Sequence, residues 1–199
     1  MRLQFQVVDV FTTERFSGNP LAVFWDAQAL HDSAVMQRIA REMNLSETTF
    51  VRAPTEPSCA FDVRIFTPGA ELPFAGHPTL GTAFVLDKLG LLPGREFSFH
   101  EKVGPVRLHK DPTGRFWMAP PEPALLEDVG QVHKIAAALS ISAASIVTPP
   151  RLIDGRGSVF FVPYFGPSKN GGRHCHGSFR TQCGHIAGDW RRVSAYLFL

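Results

Sequence analysis

Leu3, Phe5, Val7, Asp9 and Phe11 fall on alternate positions, the period of a half-buried strand. The turn residues Phe16-Ser17-Gly18-Asn19-Pro20 separate it from a second strand, Leu21-Ala22-Val23-Phe24-Trp25. Asp32 then suits the cap of a helix whose apolar positions are Val35, Ile39, Ala40 and Met43, ending near Asn44. Thr48–Val51 and Phe61–Phe66 read as strands. Between Glu71 and Ala83 lies a tight apolar loop leading into a helix: His77 stands where an N-cap belongs, Pro78 suits the first helical position, and Thr79 to Leu89 continues as apolar helix. Such a helix start presents free N–H groups and a positive dipole end, a site for a carboxylate or phosphate, although an ordinary buried helix start has the same pattern. Phe97–Phe99, Val106–Leu108 and Phe116–Met118 add three more strands.

The Pro-rich stretch Ala119-Pro120-Pro121-Glu122-Pro123 closes this set and marks a domain boundary. Beyond it, Val129, Val132, Ile135, Ala136 and Leu139 mark a helix, and Val159–Val162 a strand after the turn Asp154-Gly155-Arg156-Gly157. From Tyr164 to Arg192 neither period is sustained. No Leu occurs between Leu152 and Leu197, and no Val between Val162 and Val193. Val193–Leu199 again has a strand pattern. The chain thus divides into a first domain over 1–121, the start of a second over 122–163 and an atypical tail over 164–199, whose middle reads as a shifted reading frame or an irregular surface segment.

Composition narrows the class. Of 199 residues, 44% are hydrophobic and 19% charged, the balance of a folded globular chain. No apolar run reaches membrane-spanning length and the N-terminus lacks a signal-peptide layout, so a cytoplasmic protein with no membrane partner is expected. Three cysteines, Cys59, Cys175 and Cys183, make no disulfide framework. The net charge of +2 conceals an asymmetry: the first 163 residues carry 15 basic and 17 acidic side chains, whereas Tyr164 onward carries five Lys/Arg and one acid, Asp189.

Few residues stand out chemically. Glu47 sits between a helix end and an apolar strand, where partial desolvation raises a carboxyl pKa and suits general acid/base work; a solvated turn residue or an ion pair fits the same position. His77 could hold a substrate, donate a proton or cap its helix. Asp9 and Asn19 lie where side chains commonly bond the backbone. His174-Cys175-His176 and Cys183-Gly184-His185 place five metal-capable side chains within twelve positions, but their spacing matches no common zinc pattern, and no metal is expected. The basic tail lacks aromatic interleaving, so no nucleic acid is expected. Neither a nucleotide-type Gly-rich loop nor a Gly-x-Ser-x-Gly elbow is present, and Cys59, among Pro57, Ser58 and Ala60, does not look like a nucleophile.

Four motifs occur in a specific order: Gly18-Asn19-Pro20-Leu21-Ala22-Val23, Asn44-Leu45-Ser46-Glu47-Thr48-Thr49-Phe50, Phe66-Thr67-Pro68 and Glu71–Gly81. Together with Phe116–Pro121 they resemble the PhzF-like phenazine biosynthesis isomerase family, related to diaminopimelate epimerase, over about residues 1–163. The resemblance implies an α+β fold of diaminopimelate epimerase-like type, a curved, mostly antiparallel sheet wrapped round a central helix. Of two pseudo-symmetric domains it implies that the first is complete and the second incomplete, with an active site in the cleft between them. It further implies Glu47 as the acid/base that moves a proton on a small carboxylate-bearing metabolite, with Ser46, Gly76, His77 and Pro78 binding the substrate. The founding reaction isomerises trans-2,3-dihydro-3-hydroxyanthranilate with neither cofactor nor metal. Related epimerases and racemases carry a catalytic Cys where this chain has Ala75, which argues against a two-thiol mechanism. The family's second-half Asp-Pro-Ala-Thr-Gly-Ser-Ala-like loop is absent from this sequence. The alternative is therefore a catalytically inactive, truncated remnant that binds a small anion or a partner. A second half cut short also leaves apolar surface for self-association, for example as a homodimer.

Overall fold

The computed structural model describes residues 2–14, 16–122, 124–128, 130, 132–138, 140–154, 159–165, 193–195 and 197–198. The chain forms two compact units, Met1–Pro121 with Trp190–Leu199, and Glu122–Asp189.

The first unit opens with strands β1 (Phe5–Val10) and β2 (Asn19–Phe24), helix α1 (Ser33–Met43), and strands β3 (Glu47–Arg52), β4 (Phe61–Phe66) and β5 (Glu71–Leu72). Helix α2 (Gly76–Lys88) and strands β6 (Glu96–Glu101), β7 (Gly104–Lys110) and β8 (Phe116–Ala119) follow. The second unit holds β9 (Ala124–Asp128), α3 (Val132–Ala138), β10 (Ile146–Asp154) and β11 (Val159–Phe165), its strands ordered β11-β10-β9. Two short strands, β12 (Val193–Ala195) and β13 (Leu197–Phe198), return to the first unit.

The main sheet runs β12-β8-β7-β6-β4-β3-β2-β1-β13, with β5 beside β4. Its pairings are antiparallel except β2–β3 and β4–β6, the two places where a helix crosses over. One residue separates β12 from β13, yet they occupy opposite edges of the order. Two peptide steps reach about 7 Å, so the sheet must curl until its edges almost meet. It curls round α2, which packs on β1, β2, β3, β8 and β12. Every residue of α2 from His77 to Leu86 is buried, as a helix apolar all round requires. This is the expected curved sheet round a central helix.

Alternation along β2 separates the two layers. Leu21 and Val23 face the α2 core, while Ala22 and Phe24 face α1. Aromatic rings run across the α1 side: Phe5 stacks on Phe24 at 5.0 Å, Phe24 on Phe50 at 5.1 Å, and Phe50 meets Phe66 edge-on at 5.6 Å. Helix α1 begins as its sequence predicts, with Asp32 Oδ1 accepting from the Ala34 amide at 2.8 Å. It ends at Asn44 in the left-handed conformation.

Several sequence expectations need correction. In β1 the core-facing residues are Val8 and Val10, while Phe5, Val7 and Phe11 are about half exposed. Both phases of this strand are apolar, and packing against α2 selects the one with the smaller side chains. Asn19 and Pro20 belong to β2 and not to the turn before it. His77 is not the cap of α2. Ala75 is, in extended conformation and without a side-chain cap bond. Pro78 fits the third helical position equally well, because amides throughout the first turn lack an intrahelical acceptor. Strands β5, β9 and β10 were not legible in the pattern. Residues 166–192, with His174, Cys175, His176, Cys183 and His185, lie outside the described residues. No helix among the described residues is long and apolar enough to cross a membrane.

Candidate active site

Glu47 is the first residue of β3 and His77 the second of α2; parallel pairing of β2 with β3 sets Leu21 opposite Glu47. The carboxylate and the ring meet at 3.0 Å, Glu47 Oε2 to His77 Nε2, with side chains 17% and 8% exposed. Despite that distance, neither atom has an aligned hydrogen bond within the protein. On the other side of the ring, Asn19 Nδ2 donates to His77 Nδ1 at 3.2 Å. An accepting Nδ1 places the hydrogen of the neutral imidazole on Nε2, the nitrogen that faces Glu47. Burial pushes the Glu47 carboxyl above its ordinary value. The same cause drives the His77 ring down to about 4, so it is neutral near pH 7.

The loop between β1 and β2 supports this pair. Asp9 Oδ2 accepts from the Phe16 amide at 3.1 Å, a backbone role of the kind its position suggests. Thr12 and Ser17 hydroxyls meet at 2.7 Å. Gly18 has φ +83°, and a Cβ there would lie 2.4 Å from the Val10 carbonyl oxygen, so only glycine allows the chain to turn into Asn19. Phe11, also at positive φ (62°), sets its ring 6.4 Å from that of His77.

At the start of α2 the Ala75 cap leaves the Gly76 and His77 amides without intrahelical acceptors, and Pro78 has none to offer. Pro78 is buried and Gly76 half-buried in this turn, while Ser46 is exposed just ahead of β3. The structure therefore brings Glu47 and His77 together, with the Gly76 amide next to His77 and Ser46 next to Glu47 in sequence. Asn19 bonds a side chain where a backbone bond was expected. Its partner lies 58 residues away, a separation no local pattern reveals. Cys59 is buried, and burial pushes its thiol up, the opposite of an activated nucleophile.

Glu101 was missed. It ends β6, is 2% exposed, and approaches the Thr79 hydroxyl of α2 at 2.5 Å. Burial pushes its carboxyl up to about 8. A signal was present, because Phe97, Phe99 and Glu101 share one face of an alternating strand.

A curled α+β sheet wrapped round one buried helix is the fold of an epimerase-like class of protein. A profile of the PhzC-PhzF family, described as phenazine biosynthesis-like protein, matches residues 8–145, and the chain belongs to that family. An uncharacterised isomerase of Mesorhizobium japonicum is 55% identical over 100 residues, which are 50% of this chain and 33% of the relative. The trans-2,3-dihydro-3-hydroxyanthranilate isomerase of Pseudomonas aeruginosa is 55% identical over 83 residues, 42% of this chain and 29% of that enzyme. These matches span about a third of the relatives' length. Among solved structures, a predicted epimerase from Pseudomonas aeruginosa superposes with a TM-score of 0.68 at 32% identity, covering 82% of this chain and 60% of that one.

Proposed function

We propose that the chain carries the acid/base part of an isomerase that shifts a proton on a small carboxylate-bearing metabolite, with Glu47 as the acid/base and no cofactor or metal required. The observation that carries this reading is the 3.0 Å approach of Glu47 Oε2 to His77 Nε2 beside a helix start with no side-chain cap bond. As a carboxylate, Glu47 takes a proton from a substrate carbon and becomes the neutral acid. It then returns the proton to a different carbon, and the double bond moves with no net change in oxidation. Burial supports both halves of the cycle: a raised pKa makes the carboxylate a stronger base and brings its acid form nearer the working pH. The neutral His77 Nε2–H can donate to a substrate oxygen as charge develops on it. The first-turn amides of Gly76 and His77, at the positive end of α2, suit the substrate carboxylate. Ser46 and Pro78 complete the binding edge in this reading.

The test is isotope exchange. The protein is incubated in deuterated water with trans-2,3-dihydro-3-hydroxyanthranilate, the compound in the Pseudomonas relative's name, and with a panel of small unsaturated carboxylic acids. Deuterium uptake is read by mass spectrometry. Uptake into at least one acid is expected, reduced about 10²–10⁴-fold in Glu47→Gln with the fold retained. No uptake by the unaltered chain into any acid would favour the non-catalytic anion-binding alternative.

A further inference from the structure

The start of α2 hangs on one hydroxyl. Thr79 Oγ1 lies 2.8 Å from the Ala75 carbonyl oxygen and 2.5 Å from Glu101 Oε1. A threonine hydroxyl has one hydrogen to give, and a backbone carbonyl can only accept. If Thr79 gave its hydrogen to a Glu101 carboxylate, two lone-pair oxygens would face each other at 2.8 Å. The arrangement that satisfies both contacts has Glu101 protonated: its O–H donates to Thr79 Oγ1, and Thr79 donates to Ala75. The 2.5 Å separation lies at the short end of O–H···O bonds.

The surroundings agree with a neutral acid. Glu101 is buried; on β7, which pairs with its strand, Arg107 is exposed and Lys110 meets Asp87 of α2 at 2.7 Å. On its own strand His100 meets Asp62 of β4 at 3.1 Å; the adjoining Lys102 lies 3.7 Å from Glu71 of β5, which pairs with Arg64 of β4. On α2 itself, His77 faces Glu47. Desolvation pushes the Glu101 carboxyl up to about 8.

We propose that Glu101 is a positioning residue for the α2 start: donating through Thr79 it holds the Ala75 carbonyl, and with it the Gly76–His77 turn, and its ionisation releases that hold. Once Glu101 is a carboxylate, Thr79 must turn its hydrogen toward it, and Ala75 keeps only the Thr79 amide, at a long 3.3 Å. The consequence for turnover rests on the reading of Gly76 and His77 as substrate-binding; the relay itself does not.

Amide shifts of Gly76, His77 and Thr79, followed by NMR on the full chain from pH 6 to 9.5, test the relay without substrate. The three amides should move together with a midpoint near pH 8, and the transition should vanish in Glu101→Gln, whose side-chain amide remains a donor at every pH. In Thr79→Val the Glu101 carboxyl carbon should still titrate while the Gly76 and His77 amides stop following it. Flat amides in the unaltered chain overturn the proposal. So does a midpoint that survives in Glu101→Gln. Should that variant not fold, amides that still follow Glu101 in Thr79→Val overturn it. A relay present without deuterium exchange on any acid would sink the catalytic reading and leave the relay standing.

Discussion

Asn19 decides which nitrogen of His77 carries the hydrogen, and so whether the ring can donate toward Glu47. In Asn19→Ala, Nδ1 loses its donor and the tautomer preference weakens. Imidazole 15N shifts should show a predominantly Nε2–H ring in the unaltered chain and a mixed population in the variant. An unchanged tautomer would show that Asn19 does not set it. Glu47 and His77 could be singled out in the sequence because each stands at a junction inside a recognisable motif. Glu101 was legible only as an acid in phase with two phenylalanines, a clue easily passed over because most acids in strands face water. Asn19 was not legible in its role, since a hydrogen bond across 58 residues leaves no periodic trace.

Helix α2 is the element on which the site depends, and Gly81 sets how closely it sits on the sheet. A Cβ at Gly81 would lie 2.6 Å from Leu21 Cδ2 and 2.9 Å from Val10 Cγ2, both in the fully buried core. Gly81→Ala gains about 1 kcal/mol of helix propensity but overpacks the core at about 1–3 kcal/mol. A net loss of up to about 2 kcal/mol is expected from urea unfolding; a net gain would mean that the core yields. Elements were the most legible scale. Asp32 and Asn44 bracket α1 because caps are local chemistry, and β2, β3, β4, β6, β7 and β8 follow alternating or apolar runs. The start of α2 was misplaced because a Gly-His-Pro sequence satisfies more than one helix register. The phase of β1 was misread because both its faces are apolar.

For the whole molecule, the two buried titrating groups shape stability against pH in opposite directions. His77 has a folded value of about 4 against 6.5 unfolded, so its share of stability is present above pH 6.5 and is lost as pH falls toward 4. Glu101 has a folded value of about 8 against 4.5, so its cost is absent below pH 4.5 and grows as pH rises to 8. Between pH 4.5 and 6.5 the two oppose each other, and above 6.5 Glu101 is the one of the two that still acts. Stability should therefore fall by about 2 kcal/mol between pH 6.5 and 8, a span of about 1.5 pH units at 1.36 kcal/mol each. Urea midpoints of Glu101→Gln should stay level over that range; an equal decline in the variant would assign the effect to other groups. The arrangement of the sheet was the least legible feature, since alternation places a residue on a face and says nothing of which strand lies beside which.

That strand order also bears on how the chain is made. Asp9 and Val10 of β1 pair with Phe198 and Leu197 of β13, so β1 leaves the ribosome nearly 190 residues before this neighbour. At roughly 5–20 residues per second, the outer edge of β1 waits about 10–40 s for its partner. Throughout that interval the nascent sheet carries an open row of backbone donors and acceptors, the kind of edge that recruits other strands. The outer edge of β1 is thus covered only once β13 has been made, and the chain before that point is the form most in need of a chaperone.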